Sequence, residues 1–503
     1  MKKNYILFIC FILPLLSSSQ DRGNIWCFGD SAGIDFNNLN NPIPINTGLR
    51  TRGSCASISD TTGNLLFYAG DRTNTAGDYT TLVYNNEHNV MPNGDSIVGE
   101  GWYNEIIILP MPENDSIFFL FVISTALGPG GLYYSIINMN ADSGRGNVIS
   151  KNNQLQIFSI VDCLNAIKHG NGRDWWLMFR RYDGTNTTTN NEFYSYLISP
   201  NGITNFQMQQ VGSLANTGLG QLKFNSTGDR MVFNSFKGTL ELFEFDRCTG
   251  VISNSQVIFL ENSGPPWPAR WSSEFSPDGN YLYVCNNPDS TFLYQYDLNS
   301  TNISSSQILL WMIPKEIQRN SGGLLKLGPN NKIYFSSVYY NGFFPYPYPD
   351  SVYNMYNMNL GVIHFPDSLG TLCDFQPYSF YLGGKRTYWG LPNNPDYDMP
   401  ALTGSPCDSL TSISDIPISS EAELFVYYAS DWQTAFINAN KIKGTNYHLE
   451  VFDLLGKSIF RESGKMIPPY YTKNLNCAGF AKGMYVVNLV TNKEKITKRF
   501  IVQ

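Results

Sequence analysis

The feature that most constrains the fold of this 503-residue chain is a local pattern that recurs through its middle. A turn rich in Asn, Asp, Pro and Gly is followed each time by a short apolar strand, as where residues 276–279 precede residues 281–284. A second, aromatic strand follows in most units; at residues 240–245 and 292–296 it alternates apolar and polar residues, as half-buried strands do. Aligned on one residue of each turn, the pattern recurs at positions 63, 114, 172, 228, 279 and 330.

These steps of 51 to 58 residues are typical of a β-propeller, in which each four-stranded blade buries its faces against its neighbours. Six units are visible directly. Residues 24–28 and 33–37 look like outer strands, and residues 370–391 look like inner strands, so we expect them to pair and close a seventh blade. The sequence predicts an all-β chain whose propeller has six or seven blades, with seven favoured. A long array of β-sandwiches is the structural alternative.

Composition agrees with strands and turns. Aromatic residues make up 14% of the chain and charged residues only 15%, with 43 Gly and 27 Pro. The net charge of −7 argues against nucleic acid as a partner, because broad binding of that kind relies on neutralising phosphates.

The N-terminus predicts export. Two lysines, an apolar run over residues 5–16 and three serines form the three-part pattern of a signal peptide, assigned to residues 1–19. No second apolar stretch is long enough to predict a transmembrane segment. Eight cysteines follow the signal without CxxC spacing, which argues against a zinc cluster. Their pairing is open, and buried thiols are as compatible with the pattern as bridges.

A change of charge near residue 420 predicts separate domains. Residues 21–420 carry a net charge of −13, whereas residues 421–503 carry +4 and alternate like the strands of a small β-sandwich. Residues 396–420 are rich in Pro, Ser, Asp and Thr and are assigned as a linker, so the propeller is assigned to residues 21–395.

Two stretches near the N-terminus carry a resemblance to a known family. Residues 26–36 (WCFGDSAGIDF) and 56–68 (ASISDTTGNLLFY), followed by 91–94 and 390–393, resemble secreted propeller-like proteins of gliding or surface-exporting Bacteroidetes. The resemblance covers about residues 24–395. It implies export and a propeller, and it implies no particular reaction.

The tail resembles the type A sorting domain of the type IX secretion system. Residues 447–457, 483–489 and 498–502 match its strand–turn segment, its G-x-Y strand and its terminal basic–apolar strand. The resemblance assigns the sorting motif to Asp453, Gly456, Lys457, Gly483, Tyr485 and Lys498. It implies passage through the periplasm, recognition by the outer-membrane machinery, cleavage of the tail, and delivery to the cell surface or medium. An ordinary terminal sandwich that binds a ligand is the alternative.

Motifs for catalysis are weak. Gly29-Asp30-Ser31-Ala32-Gly33 matches the nucleophile elbow of α/β-hydrolases, but neither a preceding core strand nor a following helix is present, so we expect a hairpin turn. The four histidines lack metal-ligand spacing. We therefore assign no catalytic residue, no metal ligand and no cofactor, although a structural Ca²⁺ is compatible with an acidic propeller.

Aromatic loops are the better indication of function, because rigid exposed rings suit glycan stacking or protein contact. The alternative is that these rings close one face of the propeller or pack between blades. We expect a binding or adhesion protein for a glycan or a surface protein; the rival hypothesis is a secreted enzyme degrading polysaccharide or peptide with paired carboxylates at the propeller mouth. The candidate ligand-binding residues are Trp102, Tyr103, His169, Trp267, Tyr346 and Tyr348.

Overall fold

The structure of the chain is a computed structural model. It describes residues 21–73, 79–99, 102–124, 130–182, 189–262, 268–287, 290–313, 320–339, 352–408, 422–430, 433–454, 456–466 and 468–502. The predicted signal peptide lies outside these residues. Within them, no helix is long and apolar enough to cross a membrane.

Seven antiparallel sheets, here called blades 1 to 7, form the propeller in the described part of the chain. Blade 1 has the three strands Ile25–Phe28, Asp30–Asp35 and Ile43–Arg50. Blade 2 has the three strands Cys55–Ser59, Leu65–Thr73 and Tyr79–Asn85. Blade 3 has the four strands Ile106–Pro110, Ile117–Ser124, Gly131–Asn138 and Asn147–Gln156. Blade 4 has the four strands Asn165–Lys168, Trp175–Arg180, Asn190–Ser199 and Gly202–Ala215. Blade 5 has the four strands Gly220–Phe224, Arg230–Ser235, Leu240–Asp246 and Val251–Phe259. Blade 6 has the four strands Arg270–Phe275, Tyr281–Asn286, Phe292–Asp297 and Ile308–Met312. Blade 7 has the four strands Asn320–Leu327, Ile333–Tyr339, Asn359–Ile363 and Phe375–Tyr381. Short 3₁₀ turns occur at Asp142–Gly144, Ile303–Ser306 and Gly370–Cys373.

The all-β propeller and its seven blades are confirmed, and the six turns found in the sequence are the first hairpin turns of blades 2 to 7. The predicted closure is wrong. Residues 25–50 form blade 1 alone, with Ile25–Phe28 innermost, and Phe375–Tyr381 is the outer strand of blade 7. The ring closes by packing instead, with the Trp26 ring edge-on to Tyr334 at 5.5 Å. Gly29 and Ser31 turn the first hairpin at positive φ, which confirms that the elbow-like motif is a hairpin.

The core consists of the apolar faces stacked between neighbouring blades. Blades 3 and 4 show why these sequences form buried strands. Residues 117–123 and 175–179 are runs of β-branched, aromatic and other apolar side chains, and almost all of them are buried. Such two-sided burial requires a blade on each side, which is why single blades of this composition need the closed ring.

After blade 7 the chain enters the centre of the ring. Residues 386–399, the axial segment, run along the inner strands from their first residues to their last. The Trp389 amide donates to the carbonyl of Arg52 and its carbonyl accepts from Leu324, so blades 2 and 7 are joined through one residue. Further along, the Asn393 side chain donates to the carbonyls of Ile106 and Leu164, which belong to blades 3 and 4.

Where the axial segment leaves the ring, it is fastened to blade 5. Cys407 forms a disulfide with Cys248, which lies in the turn after the third strand of that blade, with Cα atoms 5.5 Å apart. Leu402 donates its amide to the Gly170 carbonyl in blade 4. Residues 396–408, the first half of the predicted linker, are therefore packed on the propeller, and the rest of that prediction lies outside the described residues. The other six described cysteines are buried.

The C-terminal strands form a sandwich of two sheets. One contains Glu423–Ala429, Thr434–Asn440 and Tyr471–Asn476, and the other contains Asn446–Asp453, Ser458–Lys465, Gly483–Thr491 and Lys495–Val502. The sandwich rests on the outer rim of blades 3 and 4. Tyr470 is buried there, 5.7 Å from the Phe119 ring, and the Tyr134 hydroxyl bonds the Thr472 hydroxyl at 3.1 Å.

The axial segment approaches blade 2 so closely at Gly390 that one added methyl group there should destabilise the fold. A Cβ at Gly390 would lie 1.8 Å from the Gly53 carbonyl oxygen, a backbone atom that cannot rotate away. We expect Gly390→Ala to destabilise the propeller by at least the ~1–3 kcal/mol typical of overpacking. Thermal unfolding followed by circular dichroism measures this. Gly130→Ala, whose Cβ would meet only atoms at 3.6 Å or beyond, is the control and should leave the melting temperature unchanged.

The disulfide closes a loop of 159 residues, so its loss should increase the entropy of the unfolded chain considerably. We expect the Cys248→Ser/Cys407→Ser double variant to lose about 2–5 kcal/mol of stability. Differential scanning calorimetry with and without dithiothreitol tests this. Reductant should lower the transition of the wild-type protein to that of the variant, and an unchanged wild-type transition would contradict the bridge.

Candidate functional site

The channel is closed at the end where the inner strands begin. Tyr103 packs its ring 4.5 Å from Trp271, which in turn lies 5.4 Å from Trp389 of the axial segment. The Arg52 guanidinium stacks over Trp102 at 4.9 Å and donates to the Tyr103 hydroxyl. This aromatic cluster and the axial segment together fill the middle of the ring.

A pocket of about 340 Å³ lies at the opposite end, where the inner strands finish. Its wall includes the first hairpin turns of blades 5, 6 and 7, the same turns that mark the repeat in the sequence. The axial segment forms another wall as it leaves the ring, through residues 394–399. Trp26 of blade 1 and the amides of five asparagines contribute as well, so the lining is mixed polar and aromatic.

Three charged side chains of the pocket occupy equivalent positions in successive blades. Lys223, Glu274 and Lys326 are each the penultimate residue of the inner strand, in blades 5, 6 and 7 respectively. All three are less than a tenth exposed. Because the blades repeat around one axis, equal positions in the repeat place these side chains side by side around the pocket.

Glu274 is fully engaged within the protein. One carboxylate oxygen accepts from the Leu327 amide at 3.1 Å and pairs with the Lys223 ammonium at 3.2 Å. The other oxygen accepts from the Phe275 amide at 3.2 Å. This carboxylate therefore serves as the counter-ion of Lys223 and as a brace between blades 6 and 7.

Lys326 has a different environment. Its ammonium donates to the Asn394 carbonyl at 3.0 Å and lies 5.5 Å from the centre of the Trp26 ring. Among the described residues no carboxylate lies within ion-pair distance of it. Burial and the neighbouring Lys223 charge lower the pKa of Lys326 to about 7, partly opposed by Glu274, the Cys55 thiol and Asp396.

Asp396 and Lys168 form a second charged group at the pocket. Burial raises the pKa of Asp396, and the positive charges of Lys168, Arg247 and Lys326 act against that rise. The Lys168 ammonium lies over the Trp175 ring at 4.4 Å, and burial, with the charge of Arg22, lowers its pKa to about 8. Each of these groups thus faces charge of the opposite sign.

His169 lies beside this group, next to the disulfide. The Asn171 amide donates to Nδ1, so Nε2 carries the proton and donates to the Cys248 carbonyl at 2.9 Å. Arg247 donates to the Pro400 carbonyl at 2.7 Å and to the carbonyl of Lys168. His169 therefore joins blades 4 and 5, and Arg247 holds the exit of the axial segment against them.

The candidate ligand-binding residues from the sequence are not brought together. Trp102 and Tyr103 lie at the aromatic end of the channel, with Tyr103 buried, and His169 lies at the pocket end. Trp267, Tyr346 and Tyr348 lie outside the described residues. A role of these six residues in binding stays a prediction.

The residues of the sorting motif lie in the terminal sandwich. Asp453 and Lys457 close a tight turn, in which the Lys457 amide donates to the Asp453 carboxylate and Gly456 has positive φ. Gly483 begins its strand, and the Tyr485 hydroxyl donates to the Ala481 carbonyl at 2.7 Å. Lys498 pairs with Val487 across the two last strands and is exposed.

The pocket lysines and Glu274 were missed from the sequence, although a signal exists. Each is a charge between two apolar residues or next to one at the end of its strand, four or five residues before the repeat positions 228, 279 and 330. Aligning the repeats column by column would have placed them in one ring. Asp396 has no such signal, because its position depends on the axial segment.

No group of three or more metal-ligating side chains is arranged to hold an ion among the described residues. The charged groups of the pocket instead pair with one another or with backbone groups. They can bind polar ligands through lysine donors and carboxylate and amide acceptors.

Residues 433–503 match the secretion system C-terminal sorting domain. Among solved structures, a candidate 6-phosphogluconolactonase of Bacteroides fragilis is 12% identical with a TM-score of 0.44, covering 75% of this chain and 98% of its own. The periplasmic gluconolactonase PpgL of Pseudomonas aeruginosa is 10% identical with a TM-score of 0.41, covering 73% of this chain and 98% of its own. No curated protein matches the sequence significantly.

The fold and the sorting domain together define the class of protein. The chain is an exported β-propeller with a C-terminal domain that directs type IX secretion to the cell surface or extracellular space. Its partner in export is the type IX machinery.

The low pKa of Lys326 has a consequence for stability. Because its folded-state pKa of about 7 lies below the ordinary value of 10.5, the unfolded chain binds more protons between these pH values, and stability rises with pH across that window. Lys326→Met lacks this dependence. We expect the wild-type protein to gain up to roughly 1.4 kcal/mol per pH unit relative to the variant between pH 7 and 9. Urea unfolding at pH 7, 8 and 9 measures the difference, and parallel curves would contradict it.

Proposed function

We propose that this protein is a saccharide-binding module of the cell surface or medium, and that its ligand occupies the pocket at the end of the inner strands. The observation that supports this most is the pocket itself, whose volume of about 340 Å³ suits one or two sugar units. Its lysines donate hydrogen bonds, and its carboxylate and amide oxygens accept them, which suits a ligand dense in hydroxyl groups.

The rigidity of the pocket supports binding as well. Asn165 donates to the Leu222 carbonyl at 2.6 Å, and Asn225 donates to Asp229 at 2.7 Å, so these lining side chains are already fixed. The axial wall is fixed too, because the Asn394 side chain accepts from the Ser57 amide at 2.9 Å. A preformed site loses little conformational entropy when a ligand enters, which favours affinity.

Hydrolysis of a glycan is the rival function, and Asp396 is the observation in its favour. A carboxyl group whose pKa is raised by burial can act as a general acid. Its partner would need a free carboxylate across the pocket, whereas Glu274 has both oxygens engaged by Lys223 and by backbone amides. Glu274 is therefore unsuited to this role, and the assay for released sugar tests whether Asp21 or Asp398, which also line the pocket, takes it.

A blocked pocket tests the proposal. Ser226 is exposed in the blade 5 turn at the pocket wall, and Ser226→Trp should place an indole across the opening. We expect at least about a 10-fold loss of affinity for saccharides retained on a glycan array, measured by isothermal titration calorimetry. Thr61→Trp is the matched control, because Thr61 holds the equivalent exposed turn position of blade 2, outside the pocket.

Assays for released sugar in the same titrations separate the two functions. Binding without product, lost in Ser226→Trp and kept in Thr61→Trp, supports the module. Release of product that depends on Asp396 would replace it with the hydrolase. Equal binding by both tryptophan variants would place the ligand elsewhere.

A further inference from the structure

Lys326 is a buried cation in the lining of the pocket, and among the described residues no carboxylate lies within ion-pair distance of its ammonium. Glu274, by contrast, forms an ion pair with Lys223, and Asp396 faces the charges of Lys168, Arg247 and Lys326 without an ion pair to Lys326. Asp398 faces Lys168 as well. Lys326 is 7% exposed, and within the described residues its ammonium meets a neutral carbonyl and an indole ring.

A buried ammonium without a counter-ion is unfavourable, and an anionic ligand group that reaches it restores the balance. The geometry leaves room for such a group. The Asn394 carbonyl uses one of the three ammonium protons, and Lys326 itself lines the pocket, so the remaining donors can meet a ligand.

We propose that the pocket selects acidic saccharides, and that Lys326 binds the carboxylate of a uronic acid unit. This inference rests on the proposed saccharide site and names its ligand class. The asparagine and aspartate side chains of the wall then face the hydroxyls of the same sugar unit. Lys326 acts here as a specificity residue.

Uptake of a proton by Lys326 when the ligand binds is a second quantity that tests the proposal. Lys223, Glu274, Cys55 and Asp396 are the titratable groups that act on Lys326. With a carboxylate bound, the ammonium gains a partner and its charged form is favoured. At pH 8 the complex should therefore take up close to one proton, and affinity should fall as the pH rises from 6 to 9.

The test compares matched sugars on the full-length protein. Oligogalacturonate and the corresponding neutral galactose oligomer are titrated by calorimetry at pH 6, 8 and 9, in phosphate and in Tris, whose ionisation heats differ. We expect the acidic oligomer to bind at least about 10-fold more tightly at pH 6, with proton uptake at pH 8.

Variants then assign the preference to one side chain. Lys326→Met should reduce the preference to within twofold and abolish the proton uptake. Lys332→Met removes a charge of the same blade outside the pocket lining and should change neither. Urea unfolding confirms that both variants are folded.

The outcomes separate this inference from the proposal beneath it. Equal binding of both oligomers, or a preference that survives in Lys326→Met, overturns the role of Lys326 and leaves saccharide binding in place. If neither these oligomers nor any saccharide on the array binds, both proposals fail.

Discussion

The structure depends on how the inner edges of the seven blades are satisfied at the centre of the ring. Each inner strand presents backbone groups toward the axis, where an open sheet edge needs partners. The axial segment supplies them: Trp389 bonds blades 2 and 7, and Asn393 bonds blades 2, 3 and 4. The axial segment thereby joins neighbouring blades, although no sheet in the described part of the chain contains strands from both ends of the propeller.

The pocket follows from the same constraint. Because the axial segment fills the channel and the aromatic cluster closes one end, the concave surface remains at the other end, where residues 394–399 leave the ring. The inner strands finish there, so the penultimate residues Lys223, Glu274 and Lys326 meet around it. The path of the axial segment through the ring thus determines the shape of the candidate site and the charged residues that line it.

The hairpin turns could be predicted from the sequence, whereas the closure of the ring and the contacts of the site could not. The turns at residues 276–279 and their equivalents have local chemistry, since Asp, Asn and Gly at fixed offsets specify a hairpin wherever it lies. The closure was predicted wrongly because strands 25–28 and 375–381 have edges that could pair in more than one way. Aligned repeats would have placed Lys223, Glu274 and Lys326 at one position of the ring, but their contacts could not be predicted, because that of Lys326 with Asn394 joins positions 68 residues apart.

The sequence by itself determined the repeated hairpins of blades 2 to 7 and the export domain, because turn chemistry, strand alternation and the tail motif act within a few residues of one another. It left the number of blades at six or seven. Only the tertiary structure decided that blade 1 stands alone, that residues 386–399 occupy the axis and that Lys326 is buried with no described carboxylate within ion-pair distance. These features arise from packing between distant parts of the chain, where the balance of burial, backbone hydrogen bonds and charge is settled only when the ring is closed.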